Sequence, residues 1–161
     1  MMQKPATSDS APTFRIRAAR RGDVEAIASL MNELGYPNAP DVATVHWVLS
    51  HPEMEVIVAA DSLDKPIGLI TLSHRPQLRM KGRIACIDEL VVTERWRRKG
   101  VGRTLLRRAI ERAKALSAKR VELSTHKGRA EFVRSFYEAC GFTEVDTVVM
   151  RFGDMDFQKR R

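Results

Sequence analysis

The sequence predicts a mixed α/β fold, with a twisted, mostly antiparallel central sheet flanked by about four helices. Three observations carry this. Short alternating or continuous apolar runs recur along the chain, as strands require. Two of the intervening segments carry apolar residues at helical spacing on one face. Glycine, proline, aspartate and asparagine cluster between these segments, where turns are needed.

Taken in order, "FRIRAA" from Phe14 alternates and reads as a strand. "RGDVEAIASLMNELGY" then sets Val24, Ile27, Leu30, Met31 and Leu34 on one helical face, with Asp23 as its cap and Gly35 as its stop. "PNAP" breaks the chain, and a second helix over 41–49 ends before His51-Pro52. "EVIVAA" at 55–60 and "IGLITLSH" at 67–74 form a hairpin about the turn "DSLDKP". After the turn "RPQLRMKG", the apolar run "RIACIDELVV" at 83–92 reads as a long strand. A helix over 100–117 buries Val101, Leu105, Leu106, Ala109, Ile110, Ala113 and Leu116, with Arg103, Arg107, Arg108, Glu111 and Lys114 outside. "RVELST" at 120–125 is a strand, and "AEFVRSFYEACG" is a helix ending at Gly141. "FTEVDTVVMRF" closes the chain as one bent strand or two short ones. Residues 1–13 are polar and carry two prolines, so they read as a disordered tail before one domain over 14–161.

Composition narrows the class of function. With 161 residues, 43% hydrophobic and 30% charged, the chain can bury a core without staples. Cys86 and Cys140 are far apart and lack CxxC spacing, which argues against a disulfide framework or a zinc site and favours a reducing, cytoplasmic setting. His46, His51, His74 and His126 are scattered without metal-ligand spacing and read as surface or loop histidines, so no metal is expected. No apolar run suits a bilayer span, no secretory leader is evident, and no membrane partner is expected. The net charge of +8 favours anionic partners, and much of it lies between residues 95 and 120.

Within that region "RRKGVGRT", residues 97–104, follows a strand and opens a helix. Helix starts present unpartnered N–H groups and partial positive charge, and glycine admits close approach of a ligand to the backbone. The stretch therefore suits a phosphate group. It is neither a Walker A loop, which needs Gly-Lys-Ser/Thr, nor a dinucleotide fingerprint, whose third glycine would stand at Leu105. Alone, it reads equally as a tight turn with a solvated basic face.

The wider stretch "IDELVVTERWRRKGVGRTLL" resembles the acyl-CoA-binding motif of the GNAT (GCN5-related) N-acetyltransferases, in which Arg/Gln-x-x-Gly-x-Gly/Ala opens a helix. Here that pattern is Arg97, Gly100 and Gly102. "SFYEACGF" at 135–142 is similar to the family's Phe-Tyr-Glu-x-x-Gly-Phe segment, and the order of elements fits from Phe14 to Phe152. The resemblance implies a GNAT acyl-CoA N-acyltransferase fold and an enzyme that moves an acetyl group from acetyl-CoA to a primary amine by direct attack. It implies that the strand at 87–92 splays from its neighbour, so that the backbone of Leu90, Val91 and Val92 pairs with the pantetheine arm. It also implies that the loop from Arg97 through Arg98, Lys99, Gly100, Val101, Gly102 and Arg103 to Thr104 seats the pyrophosphate. Many members carry an Asn near the start of the later helix; "HKGRAEFV" has none, and Arg129 or Ser135 stands in as the cofactor contact.

Transfer to an amine needs a neutral nucleophile and a protonated leaving thiolate. Asp88 and Glu89 stand just before the cofactor backbone, and one of them is expected to face the site as base or amine anchor, since strand neighbours alternate. The other reading of that pair is structural, at a strand edge. Tyr137 is the candidate proton donor to sulfur; packing beside Phe132 and Phe136 is its alternative role. Cys86 and Cys140 read as packing residues, Trp47 and Met31 as helix face, and Trp96 as packing near the loop or as a base-stacking residue. Two competing functions use the same features: a basic nucleic-acid-binding module, and a non-catalytic acyl-CoA sensor of the same fold. The acceptor would be shaped by residues 35–44 and the last strands, where Tyr36 and Asp41 do not name it. A homodimer is compatible with the family.

Overall fold

The structure is a computed structural model that describes residues 13–35, 40–125 and 131–153. The expected tail therefore lies outside the described residues but for Thr13, as do Tyr36, His126 and Arg129. The chain divides into two compact units, Met1–Gly128 and Arg129–Arg161.

In the first unit, β1 (Arg15–Ala18) leads through a 3-10 turn at Arg21–Asp23 into α1 (Val24–Glu33) and α2 (Val42–Ser50). Strands β2 (Met54–Ala60), β3 (Pro66–Gln77) and β4 (Gly82–Val92) form the meander, and α3 (Val101–Ala115) leads to β5 (Ala118–Leu123). The five-stranded sheet has the order β1-β2-β3-β4-β5. All its pairings are antiparallel except β4 with β5, which are parallel because α3 crosses over between them.

Strand alternation sorts the side chains onto two faces. On one, Val58, Leu69 and Val91 pack with Val24, Ile27 and Leu30 of α1 and Val45 of α2. On the other lies the stripe of α3, in which Val101, Leu105, Leu106, Ala109 and Ala113 are all buried. A side chain at Gly68 would stand 3.3 Å from Leu105 Cδ1 and 3.0 Å from the Val91 carbonyl oxygen, so the glycine lets α3 close on the sheet. Asp41 caps α2 through a 2.7 Å hydrogen bond from the Thr44 amide. Asp23 does not cap α1 as expected: the turn before it is already helical, and its side chain folds back. There it accepts from the Arg20 amide (2.7 Å) and from both terminal nitrogens of Arg17 (2.7 and 2.9 Å). Burial opposes its ionisation, but these donors prevail and hold the carboxyl below its usual range.

The second unit contains α4 (Glu131–Glu138) and a turn in which Gly141 adopts a left-handed φ of 91°. The strand or strands expected from "FTEVDTVVMRF" are absent among the described residues 142–153. The run has strand-like composition, but Val145, Val148, Val149, Met150 and Phe152 are exposed. Pattern alone does not make a strand; a ladder of backbone partners does.

His74, expected on the surface, is buried in β3 at 6% exposure, and neither ring nitrogen has a hydrogen-bond partner. Burial lowers its pKa below 6.5; Arg83 and Arg112 reinforce this, while Glu55 and Glu53 oppose it. Below about pH 6.5 the unfolded chain thus binds a proton that the folded chain resists, and stability falls as pH falls. His74→Leu should therefore flatten the decline of melting temperature between about pH 6.5 and 5. Parallel melting curves for variant and wild type across that window would contradict this account.

Candidate active site

The centre of the site is an irregularity in β4. Ile70 pairs with Leu90 and Leu72 with Ile87, so the single residue Thr71 faces both Asp88 and Glu89. This is a β-bulge, and it bends the strand and breaks its alternation. Alternation alone would have sent the two carboxylates to opposite faces. Instead both line one cleft of about 470 Å³, together with Trp47 and His51 from the end of α2 and Cys86 from β4.

Thr71 fixes Glu89 at two points. Its hydroxyl accepts from the Glu89 amide at 3.0 Å and donates to the Glu89 carboxylate. Burial pushes the Glu89 carboxyl above the usual carboxylate range; the Thr71 hydroxyl opposes that rise and the charge of Asp88 adds to it. Asp88 is the more exposed of the two. The Cys86 thiol is pushed up to about 11 by burial first and by Asp88 second, so it is protonated at neutral pH. Cys86, read from the sequence as a packing residue, is half-buried and also forms part of the cleft wall.

Among the described residues, β4 loses one neighbour immediately beyond the bulge. Its pairing with β5 runs from Arg83 to Ile87 and stops, while pairing with β3 continues to Val92. The Thr93 amide donates to the Ile67 carbonyl at 2.9 Å, which sets the phase of the ladder. By antiparallel alternation Val91 then bonds across to Leu69, whereas the amides of Leu90 and Val92 face the open edge. The Val92 carbonyl, also outward, accepts from Arg97 Nε at 2.8 Å.

The open edge runs directly into the glycine loop. A 3-10 turn at Glu94–Trp96 is followed by Arg98 and Gly100, both left-handed with φ of 62° and 82°. Two such residues two positions apart fold the chain tightly, and glycine suits the second. The Thr104 amide and hydroxyl both bond the Gly100 carbonyl at 3.0 Å. The amides of Val101, Gly102 and Arg103 precede that first helical bond and have no intrahelical acceptor. Lys99 Nζ sits 5.5 Å from the centroid of the Trp96 ring, which meets Phe14 edge-on at 6.4 Å. Trp96 is thus a packing residue of the loop.

Sequence reasoning missed Thr71, Trp47 and Glu33. Glu33, the last residue of α1, accepts from the Thr93 hydroxyl at 2.8 Å and from the Glu94 amide at 3.3 Å. Tyr137 and Ser135 lie on α4 in the second unit; the Tyr137 ring meets Phe136 at 5.1 Å and Phe142 at 6.0 Å, both edge-on. Among the described residues no group of His, Cys, Asp or Glu could hold a metal ion, and no helix is long and apolar enough to cross a membrane.

The junction suits an acyl-CoA: an unpaired backbone edge for an extended amide-bearing arm, then free helix-start amides among cations for its phosphates. Known proteins share this fold. A solved structure assigned as an acetyltransferase, from Agrobacterium tumefaciens str. C58, is 32% identical with a TM-score of 0.76, covering 85% of this chain and 98% of that one. A transcriptional regulator from Bacillus halodurans C-125 is 26% identical with a TM-score of 0.74, covering 87% and 100%. Glucosamine-6-phosphate N-acetyltransferase from Arabidopsis thaliana shares the fold at 19% identity and a TM-score of 0.75, covering 88% and 99%. No functionally curated protein matches the sequence. The family model described as "Acetyltransferase (GNAT) family" matches residues 23–142, and the chain belongs to that family.

Proposed function

We propose that the protein is an acetyl-CoA-dependent N-acetyltransferase in which a primary amine attacks directly within a ternary complex. The observation that carries this reading is the release of β4 from β5 after Ile87, just where a part-buried carboxylate, an open backbone edge and a glycine loop follow one another.

Acetyl-CoA supplies the activated thioester carbonyl. The chain's own residues do the rest. The Leu90 and Val92 backbone binds the extended arm as an added strand would, and an outward amide there donates to the carbonyl oxygen as negative charge develops on it. The amides of Val101, Gly102 and Arg103 hold phosphate oxygens, with Arg98, Lys99 and Arg103 supplying charge. An aliphatic amine has a pKa of about 10.4, so it arrives protonated. Glu89, with its raised pKa, takes that proton directly or through one water, while the more exposed Asp88 attracts the ammonium form. Tyr137 is the proposed donor to the departing sulfur, and Ser135 a further cofactor contact. Cys86 supports direct attack over an acetylated enzyme: burial and the charge of Asp88 push its thiol up to about 11, so it is held protonated and is a poor nucleophile at neutral pH.

Calorimetry with acetyl-CoA, followed by thiol release across a panel of primary amines, tests the proposal. Saturable binding and amine-dependent release support it. Absence of binding at high micromolar acetyl-CoA would overturn it.

A further inference from the structure

We infer that Glu33 is a positioning residue that braces the junction between β4 and α3, and so sets the affinity for acetyl-CoA. This rests on the acetyl-CoA reading of that junction. Glu33 stands at the C-terminal end of α1, where the helix dipole disfavours a carboxylate, and no basic residue shares its last turn. Its position is explained by what its side chain holds. One oxygen accepts from the Thr93 hydroxyl at 2.8 Å; the other accepts from the Glu94 amide at 3.3 Å and lies 3.8 Å from the Arg97 guanidinium. Arg97 in turn donates to the Val92 carbonyl at 2.8 Å.

One carboxylate thus ties together the last peptide of the open edge, the turn that follows it and the first residue of the glycine motif. The brace has a firm base, because Val24, Ile27 and Leu30 anchor α1 in the core. It also changes the assignment of Arg97. Its guanidinium is divided between Val92 and Glu33, so Arg97 shapes the seat, and the free amides with Arg98, Lys99 and Arg103 make it attractive to phosphate.

Each bond is partly exposed and individually modest, so losing the brace should raise the Kd for acetyl-CoA about tenfold. The test is calorimetry and melting on Glu33→Ala, Glu33→Gln, Arg97→Ala and the Glu33→Ala/Arg97→Ala double variant. Glu33→Ala should weaken binding with little change in melting temperature, since removal of the unfavourable dipole contact offsets the loss of exposed bonds that are individually modest. The KM for acetyl-CoA should rise in step with Kd, with kcat at saturation far less affected. Glu33→Gln keeps an acceptor for Thr93 but loses the charge facing Arg97, and should fall between; it also serves if the alanine variant does not fold. The double variant should bind no worse than the weaker single one. Unchanged affinity, additive losses, or a fall in melting temperature that tracks the loss of affinity would each overturn the role of Glu33. If wild type itself does not bind acetyl-CoA, the acetyl-CoA reading falls; if wild type binds and Glu33→Ala binds equally, only the brace does.

Discussion

Replacing Glu89 with glutamine should lower kcat by roughly 10²- to 10⁴-fold, the usual worth of a positioned general base. The side chain keeps its size and its contact with Thr71, so folding should persist and the loss should fall on chemistry. The pH profile gives the more specific signature. Burial raises the Glu89 pKa, and the base works only when deprotonated, so kcat/KM should fall on the acid side as pH drops through that raised value. Glu89→Gln should remove this acid limb. Thr71→Val deletes a hydroxyl that favours the ionised carboxylate, so the Glu89 pKa should rise further and the acid limb should move to higher pH. An acid limb that stays in place in Thr71→Val, or survives in Glu89→Gln, would assign the base to another group.

Gly102→Val should weaken acetyl-CoA binding by roughly a hundredfold or more, because a branched side chain would enter beside the helix-start amides that no helical acceptor uses. The residue is the second of α3, so fold and stability should change little, apart from a small propensity term. Arg107→Ala is the matching control. Arg107 lies exposed on the outer side of α3, and its loss should leave acetyl-CoA affinity nearly unchanged. A loss in Arg107→Ala with affinity retained in Gly102→Val would mean that diffuse positive charge binds the ligand and that the shaped amides do not.

Much of this fold was legible because its signals are local. The stripe from Val101 to Ala113 needs only helical spacing to be read, and the runs in β2, β3 and β4 need only apolar composition between turns. The glycine loop and the carboxylates before it were legible for the same reason. What escaped depends on partners distant in sequence. The bulge exists only in the register of β4 against β3, so nothing within "IDELVV" reveals that Asp88 and Glu89 share a face. Thr71 reaches Glu89 across 18 residues, and Thr93 reaches Glu33 across 60. The closing run is the converse case, where a strand-like pattern is present but no ladder accompanies it among the described residues. His74 was readable in principle: it keeps the phase of Ile70 and Leu72, both fully buried, and only its polarity argued for the surface.

The bulge also bears on how the proposed chemistry of this chain can change over time. By giving one position on β3 two acidic neighbours on β4, it places a second carboxylate beside the first in the same cleft. On the proposed mechanism, a lineage can then lose or retune one while the other still draws an amine, so the proposed proton-accepting role has room to migrate by a single residue without rebuilding the scaffold. Acceptor preference and working pH would then drift through that pair while the proposed cofactor seat downstream stays fixed.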